Sequence, residues 1–339
     1  MQSSTPSPKG MNLGVTLFSF TTEFISRQYS FEQILAKVAD LGIGPGVEII
    51  GFQSIRGFPA VSDAFAERFR ELMAKYKLVP SCLAINADAA IRRGTMMTVE
   101  ESAEYLKPQI LAAAKLGIPT VRSQFSAPAE AIRRLIPLIE KLNIKIGPEI
   151  HAPITVNSPP VMAYREMYAK ANCPNLGFVP DFGCAAANIP PSYVEYLIKQ
   201  GSPPDLVKMG LEIWQSDQEA PAKRAEFARR AAAQGADPSI ISGIAVIFSI
   251  LSRQEASAWL DILPQVIHIH GKFYDFDPQG NESSVPYDKL LPVFIDNGFN
   301  GYMSSEWEGH LYSQADAFDM VVKHHALCRR IMAGTRKAA

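Results

Sequence analysis

The sequence has few of the features that mark the simplest functional classes. It contains no apolar run approaching the roughly 20 residues of a membrane span. The nearest, IISGIAVIFSIL at 240–251, is too short and runs straight into Ser-Arg-Gln-Glu. The N-terminus, MQSSTPSPKG, is polar and lacks the apolar core of a secretion signal. Only four cysteines occur, at 82, 173, 184 and 328, and none has metal-finger spacing. A reducing, cytoplasmic setting is the simplest expectation. The 33 Lys and Arg almost balance the 34 Asp and Glu, leaving a net charge of −1 and no basic patch. That balance argues against nucleic acid as a partner. Neither a GxGxxG nor a Walker loop is present.

What is present is an alternation of β and α segments. At 47% hydrophobic and 20% charged residues the chain has an ordinary globular composition. Strand-like runs fall at 13–20, 46–50, 78–85, 120–125, 145–150, 176–181, 266–270 and 301–306. Helical spacing falls between them, at 31–41, 62–76, 99–116, 128–142, 160–171 and 288–297, with a terminal helix at 314–332. Ser30 and Gln33 form a capping-box pattern, Ser62 reads as an N-cap, and Gly117 reads as a C-cap. Alternation with short links means parallel strands joined by crossover helices. One link is far longer than a crossover requires. Between Asp181 and His270, helical patterns at 191–200, 221–234 and 240–260 predict a helical insertion over about 185–243. Eight β/α steps in 339 residues predict a (β/α)8 TIM barrel with that insertion between strands 6 and 7 and a C-terminal helix. The barrel domain is expected at 12–335, after a disordered lead-in at 1–11. A doubly wound open sheet is the alternative, and the missing phosphate loops leave it without support.

Charged residues gather at the ends of the later strands. The run NIKIGPEI is followed by His151, so Glu149 and His151 share one face of an extended chain. Asp181 follows LGFVP. His268, His270 and Lys272 share one face of VIHIHGK, and Glu306 and Glu308 end GYMSSEWE. Burying such groups is costly unless they are paired or bound to a metal. Taken singly, each has a structural reading as a cap or ion-pair partner. Together, Glu149, Asp181, His270 and Glu306 sit at the ends of strands five to eight, where barrels carry their functional residues. Three carboxylates and one imidazole suit a single divalent cation. Mn²⁺ is the first choice, and Mg²⁺, Fe²⁺, Co²⁺ and Zn²⁺ are alternatives. His268 lies deeper and reads as a supporting imidazole.

At these residues the sequence resembles the xylose isomerase-like TIM barrels, a superfamily that includes sugar-phosphate isomerases and epimerases. The resemblance runs over about 13–332 and rests on LGVTLFSF, Glu149, Asp181, the His-x-Lys at 270–272 and SSEWE around Glu306. It implies one divalent metal held by Glu149, Asp181, His270 and Glu306. Ketose epimerases of the superfamily use two carboxylates, matching Glu149 and Glu306, as an acid/base pair. Many also carry a His three residues after the sixth-strand Asp, where this chain has Cys184. His151 and the long insertion are further departures. Together they make the chain resemble the large, α-type subunit of bacterial C-glycoside deglycosidases, which cleave 3-oxo-C-glucosides.

That resemblance implies a glycoside substrate, a small all-β partner subunit and a higher oligomer. It also implies proton removal from the sugar C2, a Lewis-acid metal, and β-elimination of the aglycone. His151 is the candidate base, its other reading being an orienting imidazole. Lys272 is expected to hold a substrate oxygen or a ligand carboxylate, and Arg122 to reach the substrate or a barrel carboxylate. Glu308 and His310 are rim residues or substrate contacts. Two further readings stay open: a sugar isomerase or epimerase working by the same enolisation, and a non-catalytic metal-binding barrel that needs a partner.

Overall fold

The helix starts legible in the sequence form through their side chains. Ser30 Oγ accepts from Gln33 N while the Gln33 side chain accepts from Ser30 N, opening the helix Phe31–Asp40. Thr98 and Glu101 make the same reciprocal box ahead of Val99–Leu116. Gly117 ends that helix in the left-handed region at φ 74°, where a side chain would be strained. Ser62 caps Asp63–Tyr76. These helices wrap eight parallel strands in the order β6-β5-β4-β3-β2-β1-β8-β7. The strands are β1 Asn12–Thr16, β2 Gly46–Ile50, β3 Val79–Ala84, β4 Thr120–Ser123, β5 Lys145–Ile150, β6 Val179–Pro180, β7 Ile269–Phe273 and β8 Tyr302–Trp307. Parallel bridges from Phe178 to Val266 and from Asp181 to His270 join the two ends of the order, so the sheet closes as a TIM barrel. The computed structural model describes residues 10–87 and 94–338, with side chains through Thr335.

Several elements differ from the sequence reading, each for a local reason. The first strand stops at Thr16, because Thr16 Oγ1 accepts from Phe18 N and turns Leu17–Phe20 into a 3-10 segment. The helix expected over 128–142 is split at Leu135 into Ala129–Arg134 and Ile136–Leu142. Pro137 has no N–H to continue the ladder across that point. Strand β7 starts and ends later than 266–270, which brings Lys272 onto it. Met11, placed in the lead-in, is buried in the core; residues 1–9 lie outside the described residues.

The insertion is helical, with two corrections. A helix at Pro204–Trp214, absent from the sequence reading, opens after a Pro-Pro step. The single helix expected over 240–260 is instead Pro238–Ile244, a turn at Ile247–Ile250 and a 3-10 segment at Ala256–Asp261. The chain between them is extended because it pairs with the segment after β6. Ser252 N donates to Gly183 O at 3.1 Å and Gln254 N to Cys184 O at 2.9 Å. The apolar run is mostly buried: Ile244, Ile247, Phe248 and Leu251 pack with Trp214 and Phe227 in a second core, leaving Val246 exposed. Tyr274, from the loop after β7, also belongs to this second core. Among the described residues no helix is long and apolar enough to cross a membrane.

Two glycines test the packing. A Cβ on Gly147 of β5 would strike the Gly177 backbone, and that backbone cannot yield without opening β5 from β6. Gly147→Ala is therefore expected to destabilise by at least 1–3 kcal/mol. Gly243 is exposed, helical and has nothing near its missing Cβ. Gly243→Ala is expected to stabilise by about 0.5–1 kcal/mol. Urea denaturation of both variants checks the contrast; similar midpoints would show that the β5–β6 approach is looser than described.

Candidate metal and acid–base site

The barrel brings the four expected ligands together. Glu149 stands on β5, Asp181 just after β6, His270 on β7 and Glu306 on β8. One donor atom from each lies within 4.8 Å of all the others. His270 Nδ1 is 2.5 Å from Glu149 Oε1 and 3.4 Å from Glu306 Oε2. All four side chains are buried. One of their oxygens, Glu306 Oε2, is buried and accepts no hydrogen bond, while Asp181 Oδ2 meets the Lys272 ammonium at 2.7 Å. An unsatisfied buried carboxylate oxygen is expensive, and a cation held among the four would satisfy it. The donor set fits a divalent ion that favours oxygen.

The surrounding charges explain the protonation states. Burial, added to by Glu306 and Glu149, pushes the Asp181 carboxyl up to about 6 against the pull of Lys272 and His151. Burial alone would lower the His270 pKa, but Glu306, Glu48 and Glu149 raise it well above the usual range. Burial would raise Glu149, but Arg122 and His270 hold it well below the carboxylate range. The Arg122 guanidinium approaches Glu149 to 3.6 Å and Glu48 to 4.0 Å. It therefore reaches barrel carboxylates, and it also lines the cavity.

Above the four ligands lies a proton-handling cluster. Lys272 Nζ is 2.7 Å from Asp181 Oδ2, 2.9 Å from Glu308 Oε1 and 2.7 Å from His151 Nε2. Gly183 makes room for it, since a Cβ there would sit 2.8 Å from the Lys272 side chain. His151 Nδ1 is 2.6 Å from Ala152 O and donates its proton there, leaving the lone pair on Nε2. Burial and Lys272 oppose protonation of His151, while Glu308, Asp181 and Glu149 favour it, to about 9. Two cations cannot sit 2.7 Å apart without a lone pair between them. Lys272, kept protonated against burial by Asp181, Glu308 and Glu306, is the donor. The contact therefore makes His151 the neutral acceptor, against the upward pull of the carboxylates. Tyr274 O–H donates to the other Glu308 oxygen at 2.7 Å.

These groups open onto a cavity of about 460 Å³ lined by Phe18, Arg122, Gln124, Phe125, His151, Ile154, Glu149, Glu306 and Glu308. His310 does not line it. Its Nδ1–H donates to Trp307 O at 2.7 Å and its ring meets Phe18 edge-on at 4.8 Å. His268 lies deeper, 2.9 Å from Ser304 Oγ. Cys184, in the position of the epimerase His, turns its Sγ to Ile150 O and Ile154 O at 3.1 and 3.2 Å. Sequence reasoning missed Glu48, which is fully buried with Oε2 2.8 Å from His270 Nε2. Its signal was the one used elsewhere, a carboxylate inside an apolar strand, GVEII.

Comparison with known proteins places the chain. No family model matches it. It is 38% identical over 333 residues to the 3'-dehydrocarminate deglycosidase alpha subunit of a Microbacterium species, covering 94% of each chain. It is 37% identical over 325 residues to a C-glycoside deglycosidase alpha subunit of Arthrobacter globiformis, covering 95% of this chain and 92% of that one. The chain belongs to the C-glycoside deglycosidase alpha subunit family. This family member shares its fold with a D-allulose 3-epimerase from Methylomonas, at TM-score 0.57 and 12% identity over 96% and 99% of the two chains. It shares it equally with a xylose isomerase-like TIM barrel protein from Mycobacterium smegmatis in complex with magnesium, at TM-score 0.54 and 14% identity over 99% of each. The protein is an enzyme, and its candidate site fits a divalent cation.

Cation binding should release protons in a pH-dependent number. His270 is raised and doubly bonded to carboxylates, so it carries a proton at neutral pH that must leave Nδ1 on binding. Asp181 is ionised above about 6 and protonated below it. Log affinity for Mn²⁺ should rise by about one per pH unit above 6 and more steeply below it, because Asp181 then adds a second proton to displace. At 100 times its dissociation constant the ion should add about 2.7 kcal/mol of stability. Calorimetry in buffers of different ionisation enthalpy checks the count; affinity flat from pH 5 to 8 would contradict this ligand set.

Proposed function

We propose that this chain is the large subunit of a metal-dependent carbon–carbon lyase that cleaves 3-oxo-C-glycosides. The observation that carries the reading is His151. Its tautomer is fixed by Ala152 O, its Nε2 accepts from Lys272, its side chain lines the cavity, and it stands beside the four-residue cluster. The names of the relatives support the same reading, as deglycosidase alpha subunits alike over nearly the whole chain. Held by Glu149, Asp181, His270 and Glu306, a divalent ion, Mn²⁺ by preference, supplies Lewis-acid polarisation of the substrate's carbonyl and hydroxyl oxygens. The magnesium bound by the structural neighbour is consistent with a divalent cation in this fold.

The chain's own residues divide the remaining work. A ketone at C3 acidifies the C2 proton. His151 Nε2 takes that proton once Lys272 transfers its hydrogen bond to a substrate oxygen. The imidazolium that forms is stabilised by Asp181 and Glu308, whose oxygens are 3.8 and 3.9 Å from Nε2. The C1–aglycone bond then breaks, C1 and C2 become doubly bonded, and the aglycone carbon takes up a proton. One proton leaves C2 and one reaches the aglycone, so no oxidant or water is consumed. Arg122 anchors Glu149, and Phe18 and Phe125 give the cavity its apolar wall. The word alpha in the relatives' names supports a second subunit, for which a small all-β protein is proposed.

A sugar epimerase is the second reading, because the same deprotonation can end in proton return to C2. Cys184 favours the lyase. It is bonded to backbone carbonyls and buried, so it cannot do the work of the epimerases' His. With its partner subunit present, the enzyme should release aglycone from a 3-oxo-C-glucoside and leave free ketoses unchanged. Ketose turnover without aglycone release would instead establish the epimerase. His151→Ala should lower aglycone release by at least 10²-fold and keep Mn²⁺ binding; a variant with full activity would remove His151 as the base.

A further inference from the structure

We propose that Glu48 is a positioning residue that decides which nitrogen of His270 faces the metal. The inference rests on the reading that Glu149, Asp181, His270 and Glu306 hold the ion. Strand β2, which carries Glu48, does not neighbour β7 in the sheet order, so the two residues meet across the barrel interior. Glu48 Oε2 and Oε1 lie 2.8 and 3.1 Å from His270 Nε2. Both side chains are fully buried. An imidazole whose Nε2–H is committed to a carboxylate presents Nδ1 to a cation, and the carboxylate makes that nitrogen a better donor. Here Nδ1 is the nitrogen aimed at Glu149 and Glu306.

Glu48 has a rival role. Its oxygens, with His268 and His270, also form a group within 4.8 Å, the size of a second cation site. Charge and hydrogen bonding decide against it. This group has one carboxylate where the upper one has three. The Arg122 guanidinium stands 4.0 Å from Glu48 and already supplies a cation. His268 Nε2 is bonded to Ser304 Oγ at 2.9 Å. Glu48 therefore serves as the hydrogen-bond acceptor behind a ligand, and the barrel holds one ion.

The test uses the full-length chain stripped of metal and titrated with Mn²⁺, with free ion followed by electron paramagnetic resonance. Wild type should bind one ion. Glu48→Gln keeps the volume and an acceptor oxygen but loses the charge, and should raise the dissociation constant about tenfold. Glu48→Ala should raise it toward 100-fold. The bound-Mn²⁺ spectrum should change in both variants, which a purely structural role would not produce. A folded Glu48→Gln with wild-type affinity and spectrum would overturn the positioning role alone. Two ions per wild-type chain, falling to one in Glu48→Gln, would make Glu48 a ligand and overturn it as well. A wild-type chain that binds no Mn²⁺ would overturn it together with the ligand assignment. Should Glu48→Ala fail to fold, the near-isosteric Gln variant carries the decision.

Discussion

The structure depends on burying a ring of carboxylates at the mouth of a parallel barrel. Glu48, Glu149, Asp181, Glu306 and Glu308 converge within the barrel, and among the described residues only Arg122 and Lys272 are permanent cations beside them. In a low-dielectric interior that imbalance is severe. His270 answers part of it by bridging Glu149 and Glu48 with its two nitrogens. The orphaned Glu306 Oε2 marks what remains. The same imbalance that makes the chain fit a divalent ion also sets the basicity of the residues around it.

Lys272 divides the site into two halves. Below it are the ligands; above it are His151, Glu308 and Tyr274. Its ammonium touches Asp181 on one side and His151 on the other. Charge changes in either half therefore reach the other through this side chain as well as directly, across the 3.8 Å between Asp181 Oδ2 and His151 Nε2. A lysine in this place needs a close approach to the segment after β6, and the glycine of DFGC permits it.

What the sequence disclosed was whatever repeats along the chain. Strand ends showed themselves because an apolar run stopped at Glu, Asp or His, four times over. Caps showed themselves because Ser30 and Gln33 are three residues apart. Glu48 stayed hidden because its partner His270 lies 222 residues away. The barrel itself was legible in the eight β/α steps, but the manner of its closure was not, since β6 has two residues and the join to β7 is made by isolated bridges flanking it. The helix expected over 240–260 failed because a tertiary contact, Ser252 and Gln254 on the chain after β6, outweighed local propensity.

Tyr274 belongs to two structures at once. Its ring is part of the insertion's core, packed with residues such as Leu251 and Trp214, while its hydroxyl holds Glu308. Trp307 on β8 fixes its backbone as well, through an indole N–H to Tyr274 O at 3.1 Å. The insertion is thus not detachable from the barrel. Its core and the alignment of Glu308 share one side chain, so a chain trimmed back to the minimal barrel would lose the wall against which its chemistry is built.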